Sequence, residues 1–175
     1  MRDVLAGKPR IELLATDVDG VLTDGGMYWS ADGQMLKRFD VKDGYGMARL
    51  RDSGVRIVFI TTDTSEIGQA RGERLRVTEV CVGVKDKREC LRGLMERWGL
   101  QPEQVVFAGD DLLDMVVRDL VGTFLAPADA VPQVRTQADG VTAAPGGRGA
   151  MREICDAILE HNASMAADVP GEQGA

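Results

Sequence analysis

The chain has 175 residues, 44% hydrophobic and 28% charged, the proportions of one globular domain able to bury a full core. A formal net charge of −7 and an isoelectric point of about 4.8 argue against nucleic acid or an anionic membrane as a partner, since both select basic surfaces. A phosphate ester is still admissible as substrate, because a bound metal can supply positive charge locally.

Residues 1–10 lack the apolar core of a signal peptide. No run of about 18 apolar residues follows, so no membrane span is expected and a cytoplasmic location is. Residues 11–16 read as a buried strand ending at Asp17. Two short apolar runs around Asp32-Gly33 then read as a β-hairpin over about residues 25–40, carrying Met27, Tyr28, Trp29, Leu36 and Phe39. So much apolar surface on a projecting hairpin marks a candidate subunit interface. Helical spacing follows over residues 41–53, stopped by Gly54, and then a second buried strand over 55–60. The alternation continues with a helix over 65–75, a short strand at 80–82, an amphipathic helix over 87–98 closed by Gly99, and a strand over 104–108. Residues 112–120 are expected to be helical, 122–126 and 140–143 to be strands, and 151–162 to be the last helix. Residues 163–175, rich in Ala and Gly, are expected to be a disordered tail, which leaves one domain over 8–162. Cys81, Cys90 and Cys155 are odd in number and lack metal-ligand spacing, so they are expected to be free thiols.

Strand–helix alternation of this kind predicts an α/β fold: a three-layer, Rossmann-like parallel sheet with helices on both faces. In such sheets ligands bind beyond the carboxyl ends of the strands. The polar residues of interest all lie there. Asp17 and Asp19 follow the first strand with one residue between them, so in extended backbone both side chains approach one point. Asp110, Asp111 and Asp114 follow the strand over 104–108. A lone Asp at a strand end is usually a cap or turn residue. Two clusters facing each other would repel unless a cation sat between them, and hard oxygen donors suit Mg²⁺. Thr61 ends the second strand, where its hydroxyl can hold a phosphate oxygen. Lys87 opens a helix, where its ammonium can neutralise both phosphate and an attacking carboxylate.

The order Asp-x-Asp, Thr, Lys, Gly-Asp-Asp resembles the haloacid dehalogenase (HAD) superfamily of phosphatases. Asp17-Val-Asp-Gly-Val-Leu-Thr23 looks like its first motif, Ile60-Thr61 its second, Lys87 its third and Gly109-Asp-Asp-Leu-Leu-Asp114 its fourth. Three further stretches are similar to the capless KDO 8-phosphate (3-deoxy-D-manno-octulosonate 8-phosphate) phosphatase family: Asp24-Gly-Gly-Met-Tyr, Phe39-Asp-Val-Lys-Asp-Gly-Tyr-Gly46 and Gly146-Gly-Arg-Gly-Ala150. The resemblance covers about residues 11–160. It implies a HAD fold without a cap domain, and hydrolysis of a phosphorylated 2-keto-3-deoxy sugar acid through an aspartyl-phosphate, which for KDO 8-phosphate belongs to lipopolysaccharide precursor synthesis. Asp17 would be the nucleophile and Asp19 the acid/base. Mg²⁺ would be held by Asp17, the Asp19 carbonyl and Asp110, with Asp111 and Asp114 in support. Gly20, Thr61, Thr62 and Lys87 would hold the phosphoryl group. A homotetramer would form through the hairpin, with Arg148 binding substrate or closing a site, its own or a neighbour's.

One departure opens an alternative. The family usually carries Thr-Gly-Arg at the second motif, where this chain has Thr61-Thr62-Asp63. Unless it faces away, an acid there repels a sugar carboxylate. Phosphatases of sialic-type (KDN or N-acylneuraminate) 9-phosphates also carry an acid nearby. Two rivals come from other classes. A receiver-like phospho-switch is disfavoured by the order of its acidic residues. A non-catalytic tetramerisation or regulatory module would typically have lost the nucleophile or a metal ligand, and this chain keeps both.

Overall fold

The computed structural model describes residues 2–33 and 35–167. Its strands are β1 (Leu13–Thr16), β2 (Thr23–Trp29), β3 (Met35–Phe39), β4 (Arg56–Ile60), β5 (Glu79–Cys81), β6 (Val105–Ala108), β7 (Thr123–Ala126) and β8 (Gly140–Val141). Its α-helices are α1 (Val41–Asp52), α2 (Glu66–Leu75), α3 (Lys87–Trp98), α4 (Pro132–Gln137) and α5 (Ala150–Ala167). Six strands form one parallel sheet in the order β5-β4-β1-β6-β7-β8, and β2 and β3 form a separate antiparallel pair.

Both faces of the sheet are covered, which is why its central strands read as unbroken apolar runs rather than alternating ones. Leu14, Ile57, Phe59, Val106 and Leu125 point to one face, where they share a core with Met47 and Leu50 of α1 and Met151, Ile154 and Ile158 of α5. Their neighbours Leu13, Val58, Ile60, Phe107 and Phe124 point to the other, against Leu91, Leu94 and Met95 of α3 and Val134 of α4. The chain runs from β1 outward to β4 and β5, and α3 then carries it back to β6 on the opposite side of β1. The loops therefore diverge above the carboxyl end of β1, and that crevice is where an open parallel sheet binds its ligand.

Three expectations change. Residues 112–120 do not form an α-helix: Leu112–Val117 is a 3₁₀ helix. The Asp114 carboxylate accepts the N–H groups of Asp110 and Asp111, which winds the entry too tightly for an α-turn. The unanticipated α4 starts with Pro132 in its first turn, where a missing N–H costs nothing. The last helix does not stop at residue 162. It continues to Ala167, so the first part of the expected tail is ordered helix, and residues 168–175 lie outside the described residues.

The start of α5 is capped from another helix. Buried Asp43 of α1 accepts the N–H of Gly149 at 3.2 Å and that of Arg152 at 2.8 Å. Gly46 lets the two helices approach, since a Cβ there would lie 2.8 Å from Arg152 Cδ and 3.2 Å from its Cα. The hairpin pairs Met27 with Lys37, Tyr28 with Leu36 and Trp29 with Met35. Of the apolar residues expected at an interface, Phe39 instead packs against the domain's own core, whereas Met27, Tyr28, Trp29 and Leu36 are 61%, 63%, 67% and 69% exposed.

Candidate active site

The first carboxylate is placed by the central strand. The Asp17 N–H donates to the Ala108 carbonyl at 2.9 Å, extending the β1–β6 register by one residue, so its side chain leaves the sheet at the crevice. Asp86 caps α3 by accepting the Glu89 N–H, which fixes Lys87 as the first residue of that helix. Buried Lys87 then lies with Nζ 2.9 Å from Asp17 Oδ1 and 2.7 Å from Asp114 Oδ1. The other Asp114 oxygen takes the N–H groups of Asp110 and Asp111 at 3.0 and 3.2 Å. Asp114 is thus fully satisfied, and it ties the lysine to the loop after β6.

Asp110 is not satisfied. Among the described residues its buried Oδ1 finds no hydrogen-bond partner, and its Oδ2 lies where a Cβ on Gly20 would come within 2.0 Å. Gly20 has φ +84° and donates its N–H to Thr23 Oγ1, so its part here is to leave room for Asp110. Carboxylate oxygens of Asp17, Asp110 and Asp114 all lie within 4.8 Å of one another. Burial and the charge of Asp114 push Asp17 up to about 6, although Lys87 pulls the other way. Burial and the charges of Asp114, Asp17 and Asp111 push Asp110 up to about 8. Burial alone would lower the Lys87 ammonium, but Asp114 and Asp17 outweigh it and raise it. One ammonium among three carboxylates, two buried and Asp110 partly so, leaves negative charge uncompensated, and the orphaned Asp110 oxygen is a hard donor facing that charge. A divalent cation with oxygen preference fits there. Asp111 is exposed and caps the 3₁₀ turn through Leu112, 2.6 Å away.

The second-motif residues lie beside this group. Buried Thr61 donates its N–H to the Cys81 carbonyl at 2.9 Å, and its hydroxyl accepts the Asp63 N–H at 3.1 Å. Thr62 is exposed and lines two open depressions, one bordered by Lys85, Lys87 and Arg88, the other by Asp19, Gly25, Met27, Lys37 and Asp63. A buried carboxylate with a lysine against it, beside an acidic group that could hold a metal at one sheet edge, is an arrangement that can support in-line phosphoryl transfer.

No family model matches the chain. It is 41% identical over 157 residues to the 3-deoxy-D-manno-octulosonate 8-phosphate phosphatase KdsC of Escherichia coli K12, covering 90% of this chain and 84% of that one. The chain belongs to the KDO 8-phosphate phosphatase family. A crystal structure of the family member from Moraxella catarrhalis, in complex with magnesium, phosphate and KDO, superposes with a TM-score of 0.88 at 32% identity, covering 95% of this chain and 96% of that one. A Legionella pneumophila structure described as a HAD superfamily hydrolase matches with a TM-score of 0.88 at 38% identity, covering 94% and 90%. This KDO 8-phosphate phosphatase homologue is accordingly an α/β phosphoric monoester hydrolase of the HAD superfamily.

The family's other signatures are placed as follows. Arg148 is not brought to the acidic cluster; it is 57% exposed, with Nη2 3.2 Å from Asp24 Oδ2. The glycines before it serve close packing: a Cβ on Gly146 would lie 1.9 Å from the Gly20 carbonyl oxygen, and one on Gly147 would lie 2.4 Å from the Thr23 carbonyl carbon. They hold the first-motif loop in place from behind. The carboxylate of Asp19 is not part of the metal-competent group, because it turns to Lys37, whose Nζ lies 2.7 and 2.8 Å from its two oxygens. Lys37 also reaches Asp63 Oδ2 at 2.5 Å. Burial works to raise the Asp63 carboxyl, but hydrogen bonds from Lys37 and Ser65 outweigh it and hold it at about 2. Asp63, read from the sequence as a source of repulsion, is thus neutralised by a lysine of the hairpin. Sequence reasoning missed Lys37 because it belongs to no motif and reaches the site only through the register of β3.

Proposed function

We propose that the chain hydrolyses KDO 8-phosphate to KDO and phosphate with Mg²⁺ as cofactor. The observation that carries this reading is the Asp17–Lys87–Asp114 chain beside an unsatisfied Asp110, in a member of this family. Asp17 attacks phosphorus in line and forms an aspartyl-phosphate, while Asp19 gives its proton to the departing sugar oxygen. Asp19 then takes a proton from water, the water oxygen attacks the same phosphorus, and phosphate leaves with Asp17 restored. Mg²⁺, held by Asp17, Asp110 and the Asp19 carbonyl, offsets the charge of carboxylate meeting phosphate. Lys87 keeps the attacking oxygen oriented, and Thr61 and Thr62 receive the phosphoryl oxygens beside the space that Gly20 leaves.

Four copies would assemble in the cytoplasm through their exposed hairpins, with Arg148 at the rim of a site. The catalytic unit is one domain beginning near residue 8. The nine-carbon alternative drew on likeness to phosphatases that carry an acid near Asp63; the relatives at 41% identity favour KDO 8-phosphate instead.

The test is phosphate release from KDO 8-phosphate, a sialic-type acid 9-phosphate and simple sugar phosphates, with Mg²⁺ and with chelator. Mg²⁺-dependent preference for KDO 8-phosphate is expected. Preference for the nine-carbon ester would reassign the substrate, and Asp17→Asn is expected to abolish release from every ester. Release that persists in this variant would overturn the mechanism.

A further inference from the structure

Asp19 lies two residues beyond the buried Asp17 and is the more exposed of the two. Its side chain is 36% exposed on the loop after β1, where a carboxylate would ordinarily sample several rotamers. Here it is not free to do so. The Lys37 side chain is 2% exposed and grips both oxygens of Asp19 from behind. The lysine is anchored in turn, because Asp63 accepts its third contact, and Asp63 is itself pinned. Asp63 Oδ1 accepts the Ser65 N–H at 3.0 Å, its Oδ2 accepts the Ser65 hydroxyl, and its own N–H donates to Thr61. A continuous path of charge-assisted bonds therefore runs from the end of β4, through Asp63 and the hairpin strand β3, to the Asp19 carboxylate.

We propose that Lys37 is a positioning residue that, anchored by Asp63, holds Asp19 at the leaving-group oxygen. This rests on the reading of Asp19 as the acid/base. Substrate recognition by Lys37 is the competing role, and pairing argues against it: although the lysine borders the depression beside Thr62, its ammonium is already shared between two carboxylates and offers little to a sugar acid. Holding an acid in place matters in proportion to how badly the leaving group needs a proton. A sugar alkoxide needs one, whereas p-nitrophenolate leaves nearly unaided.

The experiment compares kcat and KM at saturating Mg²⁺ for KDO 8-phosphate and p-nitrophenyl phosphate, in the parent, Lys37→Met, Lys37→Arg, Asp63→Asn and Asp19→Asn. Lys37→Met is expected to lower kcat for the sugar ester by roughly 10- to 100-fold, at or below the lower end of what a general acid contributes, since the acid is loosened and not removed. Its KM should stay within about threefold, and its loss on the aryl ester should be about tenfold smaller. Asp63→Asn, which keeps the lysine but frees it, is expected to show the same pattern more weakly, and Lys37→Arg to recover part of the loss. Equal losses on both esters, or a raised KM with kcat unchanged, would overturn the proposal. Should Lys37→Met fail to fold, Asp63→Asn decides by the same comparison. Asp19→Asn separates the two levels. If its loss does not depend on the leaving group, the acid/base reading falls and this proposal with it. If its loss does depend on it while those of Lys37→Met and Asp63→Asn do not, only this proposal falls.

Discussion

Asp110 is the residue on which charge, burial and packing conflict most. It lacks a partner for one oxygen, presses the other against Gly20, and holds its proton up to about 8. Asp17 holds its own up to about 6. Both bind protons more tightly in the folded chain than in the unfolded one. Their stabilising contribution is therefore complete below the ordinary carboxylate range and is lost as pH rises through about 6 and then about 8. Asp63 has the opposite sign, its contribution being lost only as pH falls through about 2, well below that window. In chelator, the melting temperature followed by circular dichroism is expected to fall from about pH 4 to about pH 8. Mg²⁺ should raise it most at the alkaline end, where protons no longer compete for the ligands. Asp110→Asn is expected to flatten this slope and remove most of the Mg²⁺ response. An unchanged slope in that variant would show that Asp110 is not the group responsible.

Two contacts between elements have separable consequences. The first is the capping of α5 by Asp43 across the α1–α5 interface, which satisfies N–H groups that the local sequence leaves unpaired. Losing such a cap costs about 0.5–2 kcal/mol. Asp43→Ala is therefore expected to lower the melting temperature by roughly 1–8 °C for a chain of this size, with kcat little changed. The second is the seat of Gly146 on the first-motif loop. A methyl there would meet the Gly20 carbonyl oxygen at 1.9 Å and the Thr23 carbonyl oxygen at 3.0 Å, backbone that cannot yield without moving the loop. Gly146→Ala is expected to cost about 10²-fold in kcat, the usual effect of a misplacement near 1 Å, while far-ultraviolet circular dichroism keeps the parent's shape. A loss in that variant confined to KM would mean the loop touches substrate rather than positioning Asp19 and Asp110.

At the scale of the whole molecule, β2 and β3 present one exposed apolar group, Met27, Tyr28, Trp29 and Leu36. Leu36 and Lys37 are adjacent on a strand, so their side chains leave opposite faces, one outward and one onto the site. An assembly built on the outer face would thus be joined through one strand to the Asp19 carboxylate. Light scattering is expected to give four times the 18.9 kDa subunit mass for the parent. A Tyr28→Ser, Trp29→Ser variant should approach the single-subunit mass. A parent already at the single-subunit mass would remove the tetramer from the reading. No helix among the described residues is long and apolar enough to cross a membrane.

The amino-acid sequence by itself determined the parallel sheet and most of the acidic site. Buried strands announce themselves as apolar runs, and a parallel sheet delivers everything that follows a strand to one edge. Asp17, Lys87 and Asp110, which the fold does bring together, could therefore be expected at one edge from their order. Tertiary structure decided what each of them touches. Lys87 meets Asp114 across 27 residues, and Lys37 meets Asp19 across 18 and Asp63 across 26. Asp43 reaches the start of α5 across more than a hundred residues. Such pairs depend on hairpin register and helix packing, which periodicity does not encode. The same holds for the 3₁₀ turn after Asp111, which exists because Asp114 turns back to the loop rather than out to solvent. The physical reason is one of range: burial patterns repeat every few residues and can be read locally, whereas charge pairing joins whichever groups the packed elements bring within a few ångströms.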